Sequence, residues 1–237
     1  MPRRYWYVIL TYIIMQFSGF VFAPLLYFLT PFGLTDITIY WSMFSFVAAL
    51  FVVLWLMRPD MKSEPQRNAS GAGEMIIWSI AGLFMAYAAN YLATFIETEL
   101  FGISIGSENT EMIMDITRTV PAFMIVTAII APILEEIIFR KIIFGQLYKR
   151  WNFFISALLS SLVFGIIHGE PEHILIYSGI GFVFAFLYVK TKRIIVPIIV
   201  HMAMNSISVI VQLALDQEDI EKMMEQMEQM QMILIGG

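Results

Sequence analysis

Long apolar segments, repeated along most of the chain, constrain this sequence more than any other feature. A helix that crosses a membrane needs about 20 mostly apolar residues. Seven such segments occur, at residues 5–29, 39–57, 75–95, 120–145, 153–168, 174–188 and 194–215. Only 14% of the 237 residues are charged, whereas a soluble domain carries about 25%. The sequence therefore predicts an all-α fold, a polytopic transmembrane helix bundle of about seven spans.

The chain divides into one membrane unit and a short polar tail. We expect an integral bundle over residues 1–215, with a motif-bearing core at 121–211, and an acidic tail rich in Met and Gln at 216–237. The apolar side chains of the tail recur at helical spacing. They predict a C-terminal amphipathic helix lying on the membrane or on the bundle, with a methionine-rich metal site as the alternative. These side chains are Ile220, Met223, Met224, Met227 and Met230.

The positions of basic residues predict an orientation. Lys and Arg cluster before the first segment and after the second, fourth and sixth segments. With seven spans, every cluster falls on the same side of the membrane, which indicates a cytoplasmic N-terminus. The chain has no cysteine, which excludes disulfides, thiolate ligands and a cysteine nucleophile.

Polar side chains interrupt three of the last four apolar segments, in pairs one helical turn apart. Ionisable groups at membrane depth are costly, normally face a polar interior and therefore suggest a functional site. At about 1.5 Å per residue, the acidic, imidazole and amide groups lie roughly 12 to 27 Å from the Lys and Arg clusters that mark the predicted cytoplasmic ends of their segments. We therefore expect three antiparallel helices to bring them to one cavity. The pairs are Glu136 with Arg140, Phe164 with His168, and His201 with Asn205, and Glu135 precedes the first pair.

This set of groups suits the activation of water. A carboxylate can take a proton from water that an imidazole also holds. A second imidazole and an amide N–H can donate to the oxyanion that forms when a peptide carbonyl is attacked. Equally, one carboxylate and two imidazoles can hold Zn²⁺ and leave one position open for water. Both routes hydrolyse amides, and the sequence does not choose between them.

Structural interpretations compete with the catalytic one. Glu136 and Arg140 can form a structural ion pair or orient the site, but Arg140 cannot easily neutralise Glu135 as well. Taken alone, His168 can cap a helix end, and Asn205 can hold two helices together. We expect His173 to lie at the membrane interface. Phe164 is expected to pack, and a serine nucleophile among Ser156, Ser160 and Ser161 is disfavoured because no strained nucleophile turn is present.

The three motifs E-E-x-x-x-R, F-x-x-x-H and H-x-x-x-N, each on its own apolar helix and in this order, resemble a known family. They are similar to those of the CAAX-protease and bacteriocin-processing family, which includes the type II CAAX prenyl endopeptidases. The resemblance covers residues 121–211 and implies an intramembrane endopeptidase with a helical bundle around a cavity. It implies expected roles for the motif residues: Glu135 activates water, His168 shares that water, and His201 and Asn205 donate to the oxyanion. Glu136 and Arg140 are the expected supporting pair, with Phe164 as a further supporting residue.

The same resemblance implies partners and a location. We expect membrane lipids and a membrane-associated or lipid-anchored peptide or protein as partners, no nucleic acid, and a bacterial cell membrane. If a metal is used, zinc held by Glu135, His168 and His201 is the expected cofactor. The alternative function is a non-catalytic membrane protein that acts in bacteriocin immunity or as a scaffold. An ion or proton transporter ranks last, because the sequence shows no repeat.

Overall fold

The computed structural model describes residues 1–63 and 66–214, together with Lys222 and Gln226. This part of the chain is all-α and contains no strand, which confirms the predicted fold class. The predicted amphipathic helix of the tail lies outside the described residues, apart from those two positions. The helices are α1 (Arg3–Leu29), α2 (Leu34–Met61), α3 (Ala72–Phe101), α4 (Glu108–Thr119), α5 (residues 123–147), α6 (Phe153–Ile167), α7 (Ile174–Thr191) and α8 (Ile195–Ala214), with a 3₁₀ turn at Pro171–His173.

Five helices within residues 1–63 and 66–214 are long and apolar enough to cross a membrane. They are α1, α2, α3, α7 together with the preceding 3₁₀ turn, and α8. Helix α6 has only 15 residues, and α5 is divided by two π-helical stretches, at Val126–Ile130 and Glu136–Phe144. The count of seven spans is therefore not confirmed, and the cytoplasmic N-terminus stays a prediction.

Helices extend into the polar segments that follow the second and third apolar segments. Helix α2 continues past Arg58 to Met61, because Asp60 near its end accepts hydrogen bonds from Arg4 Nε at 2.8 Å and from the Tyr5 hydroxyl at 2.6 Å. Between residues 97 and 115, α3 runs on to Phe101, and α4 begins at Glu108.

Helix α5 lies at the centre of the bundle. On one side it packs against α1 and α2, where Leu134, Phe139 and Ile142 are buried in one cluster with Val8 and Val53. On the other side it contacts α6, α7 and α8. Large apolar side chains that face outward remain exposed, as expected where lipid covers the surface. This arrangement places the E-E-x-x-x-R motif of α5 between the two halves of the bundle.

Candidate active site

The predicted catalytic groups line one cavity of about 370 Å³. Glu135 of α5, His168 at the end of α6, and His201 and Asn205 of α8 all line it. Helices α1, α2, α4 and α7 complete the wall. Residues from α1 and α4, which the sequence did not assign to the site, include Tyr12, Gln16, Asn109, Thr110, Ile113 and Met114.

The two adjacent glutamates of α5 have different environments. Glu135 lines the cavity, and its side chain is 14% exposed. Glu136 is fully buried in the protein interior. Successive residues of a helix project about 100° apart around its axis, so the two carboxylates face different neighbours. Glu135 is therefore the glutamate that a molecule in the cavity can reach.

The His201 imidazole lies between these two carboxylates. Its Nδ1 is 3.0 Å from Glu136 Oε1, which is hydrogen-bonding distance. Its Nε2 lies 3.7 Å from Glu135 Oε2, too far for a direct hydrogen bond. Because a carboxylate only accepts, we assign a proton to Nδ1. Glu136 thus orients the ring and directs Nε2 toward Glu135.

A buried arginine supports Glu136 from the other side. Arg140 Nε lies 3.3 Å from Glu136 Oε2, one helical turn away. The guanidinium carbon is 4.4 Å from the centroid of the Phe164 ring and 5.2 Å from that of Phe184. Cation–π attraction of this kind stabilises a desolvated arginine. Phe164, expected to pack, therefore also contacts the charged pair.

The His168 ring is held by its own helix. Its Nδ1 lies 2.7 Å from the carbonyl oxygen of Phe164, so we assign the Nδ1 proton to that bond. His168 follows the last residue of α6, as its suggested capping role requires. Its Nε2 is the ring nitrogen that remains for a molecule in the cavity.

Asn205 contacts a carbonyl that the π-helical stretch of α5 leaves open. Its Nδ2 donates to the carbonyl of Thr127 at 3.0 Å. In this stretch the N–H of Ala131 bonds to Val126, and Pro132, next in the chain, has no N–H to offer Thr127. The amide therefore holds α8 to α5, and its second N–H is left for the cavity.

Two further predictions can be compared with the structure. His173 is buried within the protein, and its Nδ1 lies 3.0 Å from Glu97 Oε2; its place at the membrane interface stays a prediction. The same carboxylate accepts from the backbone N–H groups of Leu175 and Ile176 in the first turn of α7. No local sequence signal pairs Glu97 with residues so distant in the chain. The serines of α6 are buried outside the cavity lining: Ser156, Ser160 and Ser161.

The fit of a metal can be judged from the candidate ligands. The donors of Glu135, His168 and His201 suit zinc, since each histidine has one nitrogen fixed by an acceptor and the other free. However, no group of three His, Asp or Glu within the described ranges is arranged to hold an ion. A metal at Glu135, His168 and His201 therefore stays a prediction, and the hydrolysis proposed below uses protein groups alone.

Comparison with known proteins identifies related sequences. A family model described as type II CAAX prenyl endopeptidase Rce1-like matches residues 117–207. YdiL of Bacillus subtilis (strain 168), provisionally described as a membrane peptidase, is 46% identical over 249 aligned residues, covering 100% of this chain and 99% of YdiL. The membrane-embedded CAAX protease MroQ of Staphylococcus aureus (strain USA300) is 34% identical, covering 94% of this chain and 95% of MroQ.

A third relative, the UPF0177 protein YxdF of Lactococcus lactis, is 32% identical over 55% of this chain and 73% of its own length. No solved structure matches the chain. The two relatives that span nearly the whole chain, together with the family match over the motif-bearing helices, confirm the resemblance inferred from the motifs. The chain therefore belongs to the Rce1-like family of CAAX-type membrane proteases.

Proposed function

We propose that this protein is an intramembrane endopeptidase that hydrolyses a peptide bond of a membrane-associated or lipid-anchored peptide or protein. The observation that carries the proposal is the shared cavity, lined by Glu135, His168, His201 and Asn205. A cavity of about 370 Å³ is within the usual range for ligand sites.

In this mechanism Glu135 is the general base. It takes a proton from a water molecule that His168 Nε2 also contacts, and the water oxygen attacks the carbonyl carbon of the substrate. The resulting oxyanion accepts hydrogen bonds from His201 Nε2 and from the second N–H of Asn205. Glu135 then returns its proton to the leaving amine as the C–N bond breaks.

The supporting groups have a defined task in this scheme. His201 can donate through Nε2 while Nδ1 donates to Glu136 only if the ring is an imidazolium. Glu136 balances that charge on one side, and Arg140 keeps Glu136 itself paired. Glu136 and Arg140 therefore act through His201 and do not contact the substrate.

Cleavage of a lipid-anchored reporter peptide in proteoliposomes tests the proposal. Prenylated, acylated and unmodified versions of the reporter distinguish the classes of substrate. We expect the wild type to cleave, and Glu135→Gln and His168→Ala each to lower kcat by about 100-fold or more, the usual contribution of general base catalysis. Glu172→Gln, at an exposed position of the turn after α6, is the matched control and should behave as the wild type.

The same assay separates the alternatives. Full cleavage by Glu135→Gln and His168→Ala, at normal protein levels, would reject the assigned groups. Absence of cleavage of every reporter, with an immunity or scaffold phenotype that both variants retain, would favour the non-catalytic function. Dialysis against a chelator should leave the rate unchanged, and a loss that added Zn²⁺ restores would instead require a metal at Glu135, His168 and His201.

A further inference from the structure

Tyr177 of α7 forms a platform under the His168 ring. The two rings are stacked, with their centroids 4.1 Å apart and their planes inclined by 24°. The Phe164 ring meets His168 edge-on, at 4.5 Å and 64°. With Nδ1 bound to the Phe164 carbonyl, one face and one nitrogen of the imidazole are occupied. The position of Nε2 in the cavity therefore depends on where Tyr177 lies.

Tyr177 is itself held by an acidic residue that no motif includes. Its hydroxyl donates to Glu170 Oε2 at 2.5 Å. Glu170 is only 5% exposed and follows Gly169, whose φ of +79° produces a sharp turn directly after His168. This turn directs the carboxylate back toward α7, so that one short segment carries both His168 and the residue that fixes its platform.

The same carboxylate binds the beginning of α4. The Ser107 hydroxyl lies 2.9 Å from each Glu170 oxygen, and the backbone N–H of Asn109 donates to Oε1 at 2.9 Å. Burial alone would raise the pKa of Glu170, but the hydrogen bonds from Tyr177, Asn109 and Ser107 outweigh it and lower that pKa below its usual value. The ionised carboxylate therefore links α4, which forms part of the cavity wall, to Tyr177.

We propose that Tyr177 is a positioning residue for His168, and that the Glu170 carboxylate holds both the Tyr177 hydroxyl and the first turn of α4. This inference rests on the proposed function for its kinetic consequence, but the geometry of the ring can be tested separately. Aromatic stacking holds a ring in one plane, and a displacement of a catalytic group by about 1 Å can lower the rate by about 100-fold.

Kinetics on the reporter peptide provide the first test. Tyr177→Leu removes the platform and should lower kcat by about 10-fold or more while KM stays within about two-fold. Tyr177→Phe keeps the stacked ring but loses the hydrogen bond to Glu170, so it should recover only part of the lost rate, up to about the level of Glu170→Gln. Glu170→Gln should reduce kcat, whereas Glu172→Gln and Tyr91→Leu, both at exposed positions, should not. A kcat for Tyr177→Leu near that of the wild type, or a rise in KM alone, would overturn the proposal.

Magnetic resonance of the histidine rings provides a second test that needs no activity. The chain has only three histidines, so labelled His168 can be identified by its loss in His168→Ala. In Tyr177→Leu the His168 ring protons should move downfield, because the shielding from the stacked phenol is removed, while Tyr91→Leu should leave them unchanged. Unchanged His168 signals in Tyr177→Leu would overturn the proposal even if no reporter is cleaved, and a failure of cleavage alone would count only against the proposed function.

Discussion

His201 Nδ1 on α8 lies 3.0 Å from Glu136 Oε1 on α5, and this contact joins two motifs that are 65 residues apart in the chain. Through it, the fully buried carboxylate sets the orientation of a ring that lines the cavity. Of the two adjacent glutamates, Glu136 is buried against His201 and Glu135 faces the cavity.

The buried pair of Glu136 and Arg140 should be required for stability. Glu136→Gln leaves the Arg140 guanidinium buried without its counter-charge, which should lower the free energy of unfolding by about 3–5 kcal/mol. Denaturation in mixed micelles measures this loss. The double variant Glu136→Gln/Arg140→Gln should recover part of it, since no charge then remains uncompensated. Asp115→Asn, which breaks an exposed ion pair with Arg118, should have little effect, and an equal loss there would contradict this account.

Asn205 and Pro132 should be energetically coupled through the Thr127 carbonyl. Asn205→Ala removes the hydrogen bond to that carbonyl and should cost about 0.5–2 kcal/mol, as for other polar contacts between membrane helices. Pro132→Ala supplies a backbone N–H that can bond to Thr127 instead. In that background the cost of Asn205→Ala should fall by at least about half, as a double-mutant cycle would measure. Strictly additive losses would mean that Pro132 does not leave the carbonyl open.

Two glycines of α7 should respond differently to alanine. A Cβ at Gly181 would lie 2.9 Å from Ser161 Oγ and 3.2 Å from Arg140 Nη2. Gly181→Ala should therefore destabilise by about 1–3 kcal/mol through overpacking. At Gly179 the nearest atom, the carbonyl oxygen of Ala89, would be 3.9 Å away. Gly179→Ala should be neutral or stabilising, because alanine favours the helix. Thermal unfolding of both variants in detergent provides the comparison, and similar midpoints would show that α7 does not pack closely against Arg140.

Glu97 of α3 should stabilise the first turn of α7, although it lies far from that turn in the sequence. Its carboxylate accepts from His173 and from two backbone N–H groups in the first turn. Glu97→Gln weakens these contacts and should cost about 1–3 kcal/mol. Glu99→Gln, on the exposed face of the same helix, should stay within about 0.5 kcal/mol. Hydrogen exchange at the Leu175 and Ile176 amides should accelerate only in the Glu97 variant. Unchanged exchange in that variant would argue against the stabilising role of Glu97.

Much of the architecture could be predicted from the local pattern of apolar and polar residues in the sequence. Long apolar segments require helices, because backbone N–H and C=O groups must pair within the segment when lipid surrounds it. Spacing of four residues placed each motif pair on one helix face, which is why His201 and Asn205 could be expected together. The seven-span count is not confirmed at two helices, since α6 has only 15 residues and π-helical stretches divide α5.

The sequence alone determined that the chain is a membrane-embedded helical protein and which residue types would carry any chemistry. Only the tertiary structure decided which of two adjacent glutamates reaches the cavity, that His173 pairs with Glu97, and that Tyr177 lies against His168. The reason is physical: the spacing along one helix fixes which side chains share a face. Which helix contacts that face depends on how separate helices pack, and the spacing of residues along one helix does not determine this packing.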